Sequence, residues 1–175
     1  MQIRVRHAAP EDAASLATAE IESWRAAYQG LMPQAFLNGL SHEAKTRGWH
    51  RNLLKHGASG RKRVLVAVSD NVPIGLVRIG CDEGDNGVGL VYLLYVLPEH
   101  WRQGVGKVLM AAMDELREFG MREAILWVLR DNQRARNFYE GLGWRSDGRT
   151  TTENYGGVEL EALCYRRTVQ DMATL

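Results

Sequence analysis

The sequence predicts a single domain over residues 1–175 of the α/β class, with helices packed on a mixed β-sheet. Three observations lead to this prediction. Short β-type runs separated by turn residues occupy the middle of the chain and indicate antiparallel hairpins. One longer run, residues 88–97, is apolar on both faces and is therefore expected at the centre of the sheet. Further along, strand-like runs alternate with helical patterns, which favours crossover connections.

The N-terminal part is predicted to form a strand followed by two helices. Residues 3–7 alternate apolar and charged side chains, as expected of a half-buried strand. Pro10-Glu11-Asp12 is typical of a helix start, because proline fits the first turn and acidic side chains favour the helix N-terminus. Apolar residues then follow at helical spacing until the glycine and proline of segment 30–33: Ala17, Ile21, Trp24, Tyr28 and Leu31. A second helix is predicted over 41–55, closed by His56-Gly57.

The remaining elements follow from turn residues and periodicity. A hairpin joins strands 63–68 and 73–79 through Ser69-Asp70-Asn71. After the apolar run, a helix is expected from Val105 to a stop at Gly120. The later elements are a strand over 123–129, a short helix capped by Asp131 or Asn132, a strand beginning at Trp144 and a last strand over 158–169. The predicted order is β-α-α-β-β-β-α-β-α-β-β.

Composition and charge argue against several classes of protein. Lys and Arg number 22 and Asp and Glu 21, so the net charge of +1 gives no overall attraction to nucleic acid or to an anionic membrane. No apolar segment reaches the roughly 18 residues of a membrane helix, and the first residues lack a signal-peptide core. Cys81 and Cys164 lie in apolar runs and are expected as buried free thiols. No Cys/His cluster has zinc-ligand spacing, so a metal-free cytoplasmic protein is predicted.

The stretch that leads from the apolar run into the next helix carries the clearest chemical signal. His100-Trp101-Arg102-Gln103-Gly104-Val105-Gly106 is expected at a helix N-terminus, where free backbone N–H groups can hold a phosphate. A dinucleotide fingerprint would need glycine where Leu109 stands. A Walker loop would need glycine in place of Trp101, and Ser or Thr after Lys107. The sequence therefore predicts a phosphate-binding loop over 101–106 of another kind.

A second candidate group lies on the short helix near residue 135. Asn132 and Tyr139 are seven residues apart, almost two helical turns, so they share a face. Ala135 leaves room beside that face, and Phe138 is expected to point into the core. A tyrosine of pKa ~10 can give a proton to a thiolate of pKa ~8.5. Taken alone, however, the pattern fits an ordinary half-buried helix aromatic equally well.

Both segments resemble motifs of the GNAT family of N-acetyltransferases. Leu94-Tyr95-Val96-x-Pro98-Glu99-x-Trp101-Arg102-Gln103-Gly104-Val105-Gly106-x-x-Leu109-Met110 resembles motif A. Leu129-x-x-Asn132-x-x-Ala135-x-x-Phe138-Tyr139-x-x-x-Gly143-Trp144 resembles motif B. The order and spacing of the two motifs are more specific than either alone, and the predicted element order matches that fold over nearly the whole chain. The resemblance implies an acetyl-coenzyme A-dependent N-acetyltransferase.

The resemblance also implies residue roles. The cofactor's pyrophosphate is expected on the 101–106 loop, with charge added by Arg102 and Lys107, although the family usually has Gln or Arg where Trp101 stands. Backbone amides near 94–96 are implied to hold the pantetheine and face the thioester carbonyl. Tyr139 is implied to be the catalytic acid. The implied cofactor-binding residues are Leu94, Tyr95, Val96, Trp101, Arg102, Gln103, Gly104, Val105, Gly106, Lys107, Asn132 and Ala135.

The general base and the acceptor stay open at this point. Some family members place a base Glu on the central strand, but that position is Leu90 here. Glu22, Glu161, Tyr92 and a water chain remain as alternatives.

Segment 22–33 resembles one found in a bacterial subset of the family, in which the first two helices cover the acceptor site. Trp24 and Tyr28 share a helix face and are interpreted either as core anchors or as an aromatic wall for the acceptor. In the second interpretation Glu22 would attract a cationic amine.

The sequence therefore predicts transfer of an acetyl group from acetyl-coenzyme A to a primary amine of a small molecule or peptide. Direct attack is expected, because neither cysteine has a reactive setting. The alternatives are a non-catalytic coenzyme A-binding sensor or assembly module, and a nucleotide-phosphate binder that uses the same loop. A homodimer is the commonest closed assembly and is compatible with the sequence.

Overall fold

The computed structural model describes residues 2–56, 60–82 and 84–169, which form seven strands, six α-helices and two short 3₁₀ helices. The strands are β1 (Arg4–His7), β2 (Lys62–Ser69), β3 (Val72–Asp82), β4 (Asp85–Val96), β5 (Glu123–Leu129), β6 (Arg145–Tyr155) and β7 (Val158–Thr168). The helices are α1 (Ala13–Ala27), α2 (Gln34–Asn38), α3 (His42–His56), α4 (Val105–Ala111), α5 (Asp114–Glu118) and α6 (Gln133–Gly141). The predicted α/β class with a mixed sheet is confirmed.

The observed order departs from the predicted order at two places. Helix α2, five residues long, follows Pro33, which forms its N-cap and suits a helix start. The helix expected from Val105 divides into α4 and α5, because Ala112 and Met113 donate to carbonyls three residues back and tighten the turn there. Helix α3 ends at His56, and the predicted stop at Gly57 lies outside the described residues.

The sheet has the order β1-β2-β3-β4-β5-β7-β6. Strand β4 is the middle strand, as its two-sided apolar run predicts. The pairing of β4 with β5 is parallel and all other neighbours are antiparallel. Two parallel neighbouring strands need a crossover connection. Helices α4 and α5 provide it between β4 and β5.

Two apolar layers cover the faces of the sheet. On one face α4, α5 and the turn between them bury Leu109, Met110, Met113 and Leu116, each at most 1 % exposed. At about 1.5–3 kcal/mol for each fully buried side chain, this stripe holds the crossover firmly against the sheet. On the other face α1 and α3 bury a second layer around Leu16 and Trp49. The sheet therefore stands between two fixed helical layers.

Strands β4 and β5 pair over only four residues each and then separate. Their register runs from Val88 opposite Glu123 to Val91 opposite Leu126. At Tyr92 the pairing of β4 with β3 skips one residue, which is a β-bulge, and a bulge bends its strand and increases the local twist. Strand β5 instead stays paired with β7 as far as Leu129. The carboxyl halves of β4 and β5 therefore leave a gap in the middle of the sheet.

Candidate active site

The gap between β4 and β5 opens into a cavity of about 1180 Å³. Its walls come from α1, β4, the segment between β4 and α4, β5, α6 and β6. Most residues predicted to form the site lie along it: Trp24, Tyr28, Leu94, Tyr95, Val96, Trp101, Arg102, Gly104, Gly106, Lys107, Asn132, Ala135 and Tyr139. Two segments far apart in sequence thus meet at one opening.

Three predicted site residues have side chains that do not line the cavity. Val105 is 1 % exposed and packs in the core, so only its backbone is available to a ligand. The Gln103 amide donates to the Glu99 carbonyl at 2.7 Å. Glu22 pairs with Arg25 on the outer side of α1, because residues two apart on a helix do not share a face and Trp24 occupies the inner one.

The loop before α4 lines the cavity, and the first turn of α4 has backbone N–H groups outside the helical hydrogen bonds. Hydrogen bonding of α4 begins with the Val108 N–H, which donates to the Gly104 carbonyl at 3.0 Å, and the amides before it belong to the unpaired first turn. Arg102 and Gly104 have φ of +61° and +84°, a left-handed conformation that glycine adopts freely. For arginine this conformation costs roughly 1–2 kcal/mol, a strain of the kind found at ligand sites.

Gly106 sets the distance between this loop and α6. A Cβ at this position would lie 3.1 Å from Cζ of Phe138. Phe138 is therefore packed against α4, and its ring also lines the cavity instead of pointing only into the core as expected from the sequence.

The edge of β4 that faces the gap offers further donors. The Leu97 N–H bonds to β3, at the Ile74 carbonyl, so by alternation the N–H groups of Leu94 and Val96 point away from β3 and into the gap. Strand β5 does not pair with this part of β4. The Val96 carbonyl is bound from two sides, by Ser23 Oγ at 2.8 Å and by Trp101 Nε1 at 2.6 Å.

Arg134 is a cavity residue that sequence reasoning missed. Its guanidinium lies 3.3 Å from the centroid of the Trp101 ring, a cation–π stack that covers the tryptophan in the predicted phosphate loop. Burial lowers the pKa of Arg134, and the charge of Arg102 lowers it further. With Lys107, three cations now line this end of the cavity. The sequence feature that could have indicated Arg134 is a basic residue two positions after Asn132, on the first turn of α6.

Asn132 and Tyr139 take the positions their spacing indicates. Asn132 is the N-cap of α6, and its side-chain oxygen accepts from the Ala135 N–H at 3.1 Å. The Tyr139 ring packs edge-on against Phe138 and Trp144, with centroids 5.2 Å and 6.3 Å away. Burial raises the pKa of Tyr139 far above its usual value, and Tyr28 adds to this. The phenol is therefore protonated at neutral and moderately alkaline pH.

The base candidates are dispersed. The Tyr92 hydroxyl donates to the Cys81 carbonyl at 2.7 Å, and its side chain lines the cavity beside Leu90. Glu161 is ion-paired with Arg130, which holds the pKa of the Glu161 carboxyl below its usual range, and it does not line the cavity. Among the described residues, the carboxylate that does line the cavity is Glu153 of β6, which accepts from the Tyr155 hydroxyl.

Tyr155, which donates to Glu153, belongs to a cluster of aromatic side chains around Trp24. Trp24 packs against Tyr28, Phe36 and Tyr155, with ring centroids 5.3, 6.2 and 5.8 Å away. Burial raises the pKa of Tyr28 to about 12, with Arg134 opposing and Glu153 adding to the rise. The side chains of Trp24 and Tyr28 therefore serve as anchors in an apolar cluster and as part of the cavity wall at once.

Metal binding, a cysteine nucleophile and a membrane-spanning helix have little support among the described residues. In the described ranges no group of three or more His, Cys, Asp or Glu side chains is placed to hold a metal ion. Both cysteines are buried free thiols, and burial raises the pKa of Cys164 to about 11, which disfavours its nucleophilic thiolate. No helix within the same ranges is long and apolar enough to span a membrane.

Comparison with protein families gives one match that covers most of the chain. The model of the "Acetyltransferase (GNAT) family" matches residues 21–144. An uncharacterized N-acetyltransferase of Bacillus subtilis, YuaI, is 30% identical over 166 residues, which are 92% of this chain and 90% of that protein. A probable N-acetyltransferase of Mycobacterium tuberculosis, Rv2775, is 29% identical over 166 residues, 94% of this chain and 92% of that protein.

Solved structures share the fold. The PaiA N-acetyltransferase of Thermoplasma acidophilum, in complex with coenzyme A, superposes with a TM-score of 0.76 at 21% identity and covers 96% of this chain and 99% of its own. YncA of Salmonella typhimurium, described as a putative acetyltransferase and solved with acetyl-coenzyme A, gives a TM-score of 0.71 at 16% identity and covers 97% of this chain and 95% of its own.

Proposed function

The chain belongs to the acetyltransferase (GNAT) family, and from this premise we propose that it transfers the acetyl group of acetyl-coenzyme A to a primary amine. The acceptor is a small molecule or a peptide, and its nitrogen attacks the thioester directly. One observation carries the proposal: the 101–106 loop, the open edge of β4 and Tyr139 all face the same cavity. The fold neighbours that hold coenzyme A and acetyl-coenzyme A support the choice of cosubstrate.

The residues present suit that cosubstrate. The cavity, at about 1180 Å³, exceeds the roughly 300–1,000 Å³ of common ligand sites, which leaves space for a long cosubstrate together with an acceptor. The loop amides with Arg102, Lys107 and Arg134 would bind the pyrophosphate. The N–H groups of Leu94 and Val96 would bind the pantetheine arm and the thioester carbonyl. Acetyl-coenzyme A, when bound, supplies the acetyl group as a thioester.

Tyr139 serves the leaving sulfur. Its Oη keeps its proton because burial raises the pKa, so it donates a hydrogen bond to the sulfur as negative charge develops there. Complete transfer of this proton to the thiolate, whose conjugate acid has a pKa of ~8.5, is uphill, so the tyrosinate does not accumulate. The attacking nitrogen loses one proton to solvent and the leaving thiolate takes one from solvent, so the protons balance. The amide of Asn132 and the space beside Ala135 contribute to cosubstrate binding.

Residues 1–175 are proposed to act as one domain. The predicted homodimer stays a prediction, because the comparisons and the structure do not test it.

Two measurements test the function. Acetyl-coenzyme A should raise the melting temperature of the protein, whereas ATP and NAD at equal concentration should not. A panel of amines should then reveal release of free coenzyme A above the rate without amine. If acetyl-coenzyme A produces no shift, the cosubstrate is wrong. If it shifts the melting temperature and no amine releases coenzyme A, the chain is a coenzyme A-binding module.

A further inference from the structure

We propose that Glu153 is the specificity-determining residue of the acceptor site, and that the acceptor is a cationic amine with an apolar body. The inference rests on the proposed function and specifies its acceptor. It replaces Glu22, which the sequence offered for this role, by a carboxylate on β6 that lines the cavity.

The first argument is the position of the carboxylate. Glu153 is the acidic side chain among the described residues of the cavity wall, and it is exposed, so an incoming ligand can reach it. The Tyr155 hydroxyl donates to it and fixes its orientation. Glu22 and Glu161, by contrast, are ion-paired with arginines and do not line the cavity.

The second argument is the set of aromatic rings beside the carboxylate. Trp24, Tyr28 and Tyr155 line the cavity and contact one another through Trp24. An ammonium group over an aromatic face gains roughly 0.5–2 kcal/mol, and the same rings bury an apolar body. A carboxylate that is held by Tyr155 and shares the cavity wall with these rings favours a positively charged, partly apolar ligand over a neutral polar or anionic one.

The third argument is the separation of charge along the cavity. Arg102, Lys107 and Arg134 form a cationic end, whereas Glu153 provides negative charge elsewhere in the wall. Both charges act on Tyr28, which lines the same cavity: burial raises the pKa of its phenol to about 12, Arg134 opposes the rise and Glu153 adds to it. The cationic end suits phosphates and repels an ammonium. A cationic acceptor is therefore directed to the Glu153 side of the cavity, and acetyl-coenzyme A to the cationic end.

The test uses phenethylamine, a cationic amine with an apolar body, and L-phenylalanine, which has the same body and an added carboxylate. Wild-type protein should acetylate phenethylamine with the higher kcat/KM. Glu153→Gln keeps an oxygen that can accept from Tyr155 and removes only the charge. Loss of a charged hydrogen-bond partner predicts roughly tenfold weaker binding of phenethylamine, measured by calorimetry on the coenzyme A complex, and a similar rise in its KM.

Glu159→Gln is the matched control, because Glu159 is exposed on the same hairpin and does not line the cavity. It should leave phenethylamine binding unchanged. The KM for phenethylamine should also rise with ionic strength in wild type and hardly at all in Glu153→Gln, a dependence that a purely structural role would not produce.

The outcomes separate the two proposals. If acetyl-coenzyme A raises the melting temperature and amines release coenzyme A, the function stands whatever Glu153 does. Equal phenethylamine affinity in the Glu153 and Glu159 variants would then overturn the inference alone. A wild-type preference for L-phenylalanine, or failure of phenethylamine to bind, would overturn it as well.

Discussion

Replacing Tyr139 by phenylalanine tests the catalytic assignment with little disturbance of the fold. The ring keeps its contacts with Phe138 and Trp144 at 5.2 Å and 6.3 Å. Among the described residues the hydroxyl is not hydrogen-bonded to another protein group, so its removal leaves no buried partner unsatisfied. We expect the free energy of unfolding to change by less than about 1 kcal/mol, which is a shift of at most ~4 °C in melting temperature.

The effect on turnover should be much larger. A hydrogen-bond donor to the charge that develops in the transition state typically contributes at least ~10²-fold, and at 1.36 kcal/mol for each factor of ten its loss raises the barrier by about 2.7 kcal/mol. The KM for acetyl-coenzyme A should stay near the wild-type value, because the phenol acts on the leaving sulfur and not on the pyrophosphate. The assay is release of free coenzyme A at saturating amine, with melting temperature measured on the same samples.

The raised pKa of Tyr139 adds a test by pH. A phenol donates only while it is protonated, and a higher pKa extends that range upward, so Tyr139 should cause no loss of kcat below about pH 10. Turnover of Tyr139→Phe equal to that of wild type would remove Tyr139 from the mechanism. An alkaline loss of kcat with a midpoint below pH 10 that disappears in the variant would refute the argument from burial.

Three further predictions concern other parts of the molecule. Gly106→Val places a Cβ 3.1 Å from the Phe138 ring, and the overpacking should lower the free energy of unfolding by about 1–3 kcal/mol. Calorimetry should show weaker binding of acetyl-coenzyme A to this variant than to wild type, and equal affinity would contradict the prediction. Arg134→Ala should raise the KM for acetyl-coenzyme A roughly tenfold and weaken its salt dependence, and unchanged steady-state kinetics would exclude a phosphate contact. Arg6 lowers the pKa of Asp12 below its unfolded value of ~3.9, so the carboxylate stabilises the fold above that pH and loses its contribution as pH falls through the lower folded pKa. Asp12→Asn should cost about 1–3 kcal/mol in urea unfolding at pH 7, and a difference that persists at pH 2 would argue against the ion pair.

The fold was predictable wherever periodicity lasts long enough to be read. Strand β5 begins and ends at the predicted residues, because an unbroken apolar run follows Glu123 and five of the seven residues of the strand are buried. Helix α2 was missed because five residues after Pro33 are too few to show a helical repeat. The break between α4 and α5 was missed for the opposite reason. Leu109, Met113 and Leu116 keep helical spacing across it, since a tightened turn leaves all three on the buried side.

The cofactor end of the candidate site was more predictable than the acceptor end. The loop and β4 are contiguous in sequence, so one motif contains the residues that meet in space. Glu153 belongs to a polar run on β6 that looks like any exposed edge strand, and its place in the cavity depends on the sheet order, in which β7 lies between β5 and β6. Glu22 is close to Trp24 in sequence, but two residues along a helix do not share a face, so the structure places Glu22 outside the cavity wall.

The two halves of the cavity are joined through one backbone atom. The carbonyl of Val96 accepts from Ser23, the neighbour of Trp24 on the acceptor side, and from Trp101 in the phosphate loop. Trp101 in turn carries Arg134. A shift of either side relative to β4 would therefore break a bond to the same carbonyl. Trp101 and Ser23 thus hold the 101–106 loop and α1 to the same atom of β4, and under the proposed function this shared bond would keep the two substrates aligned.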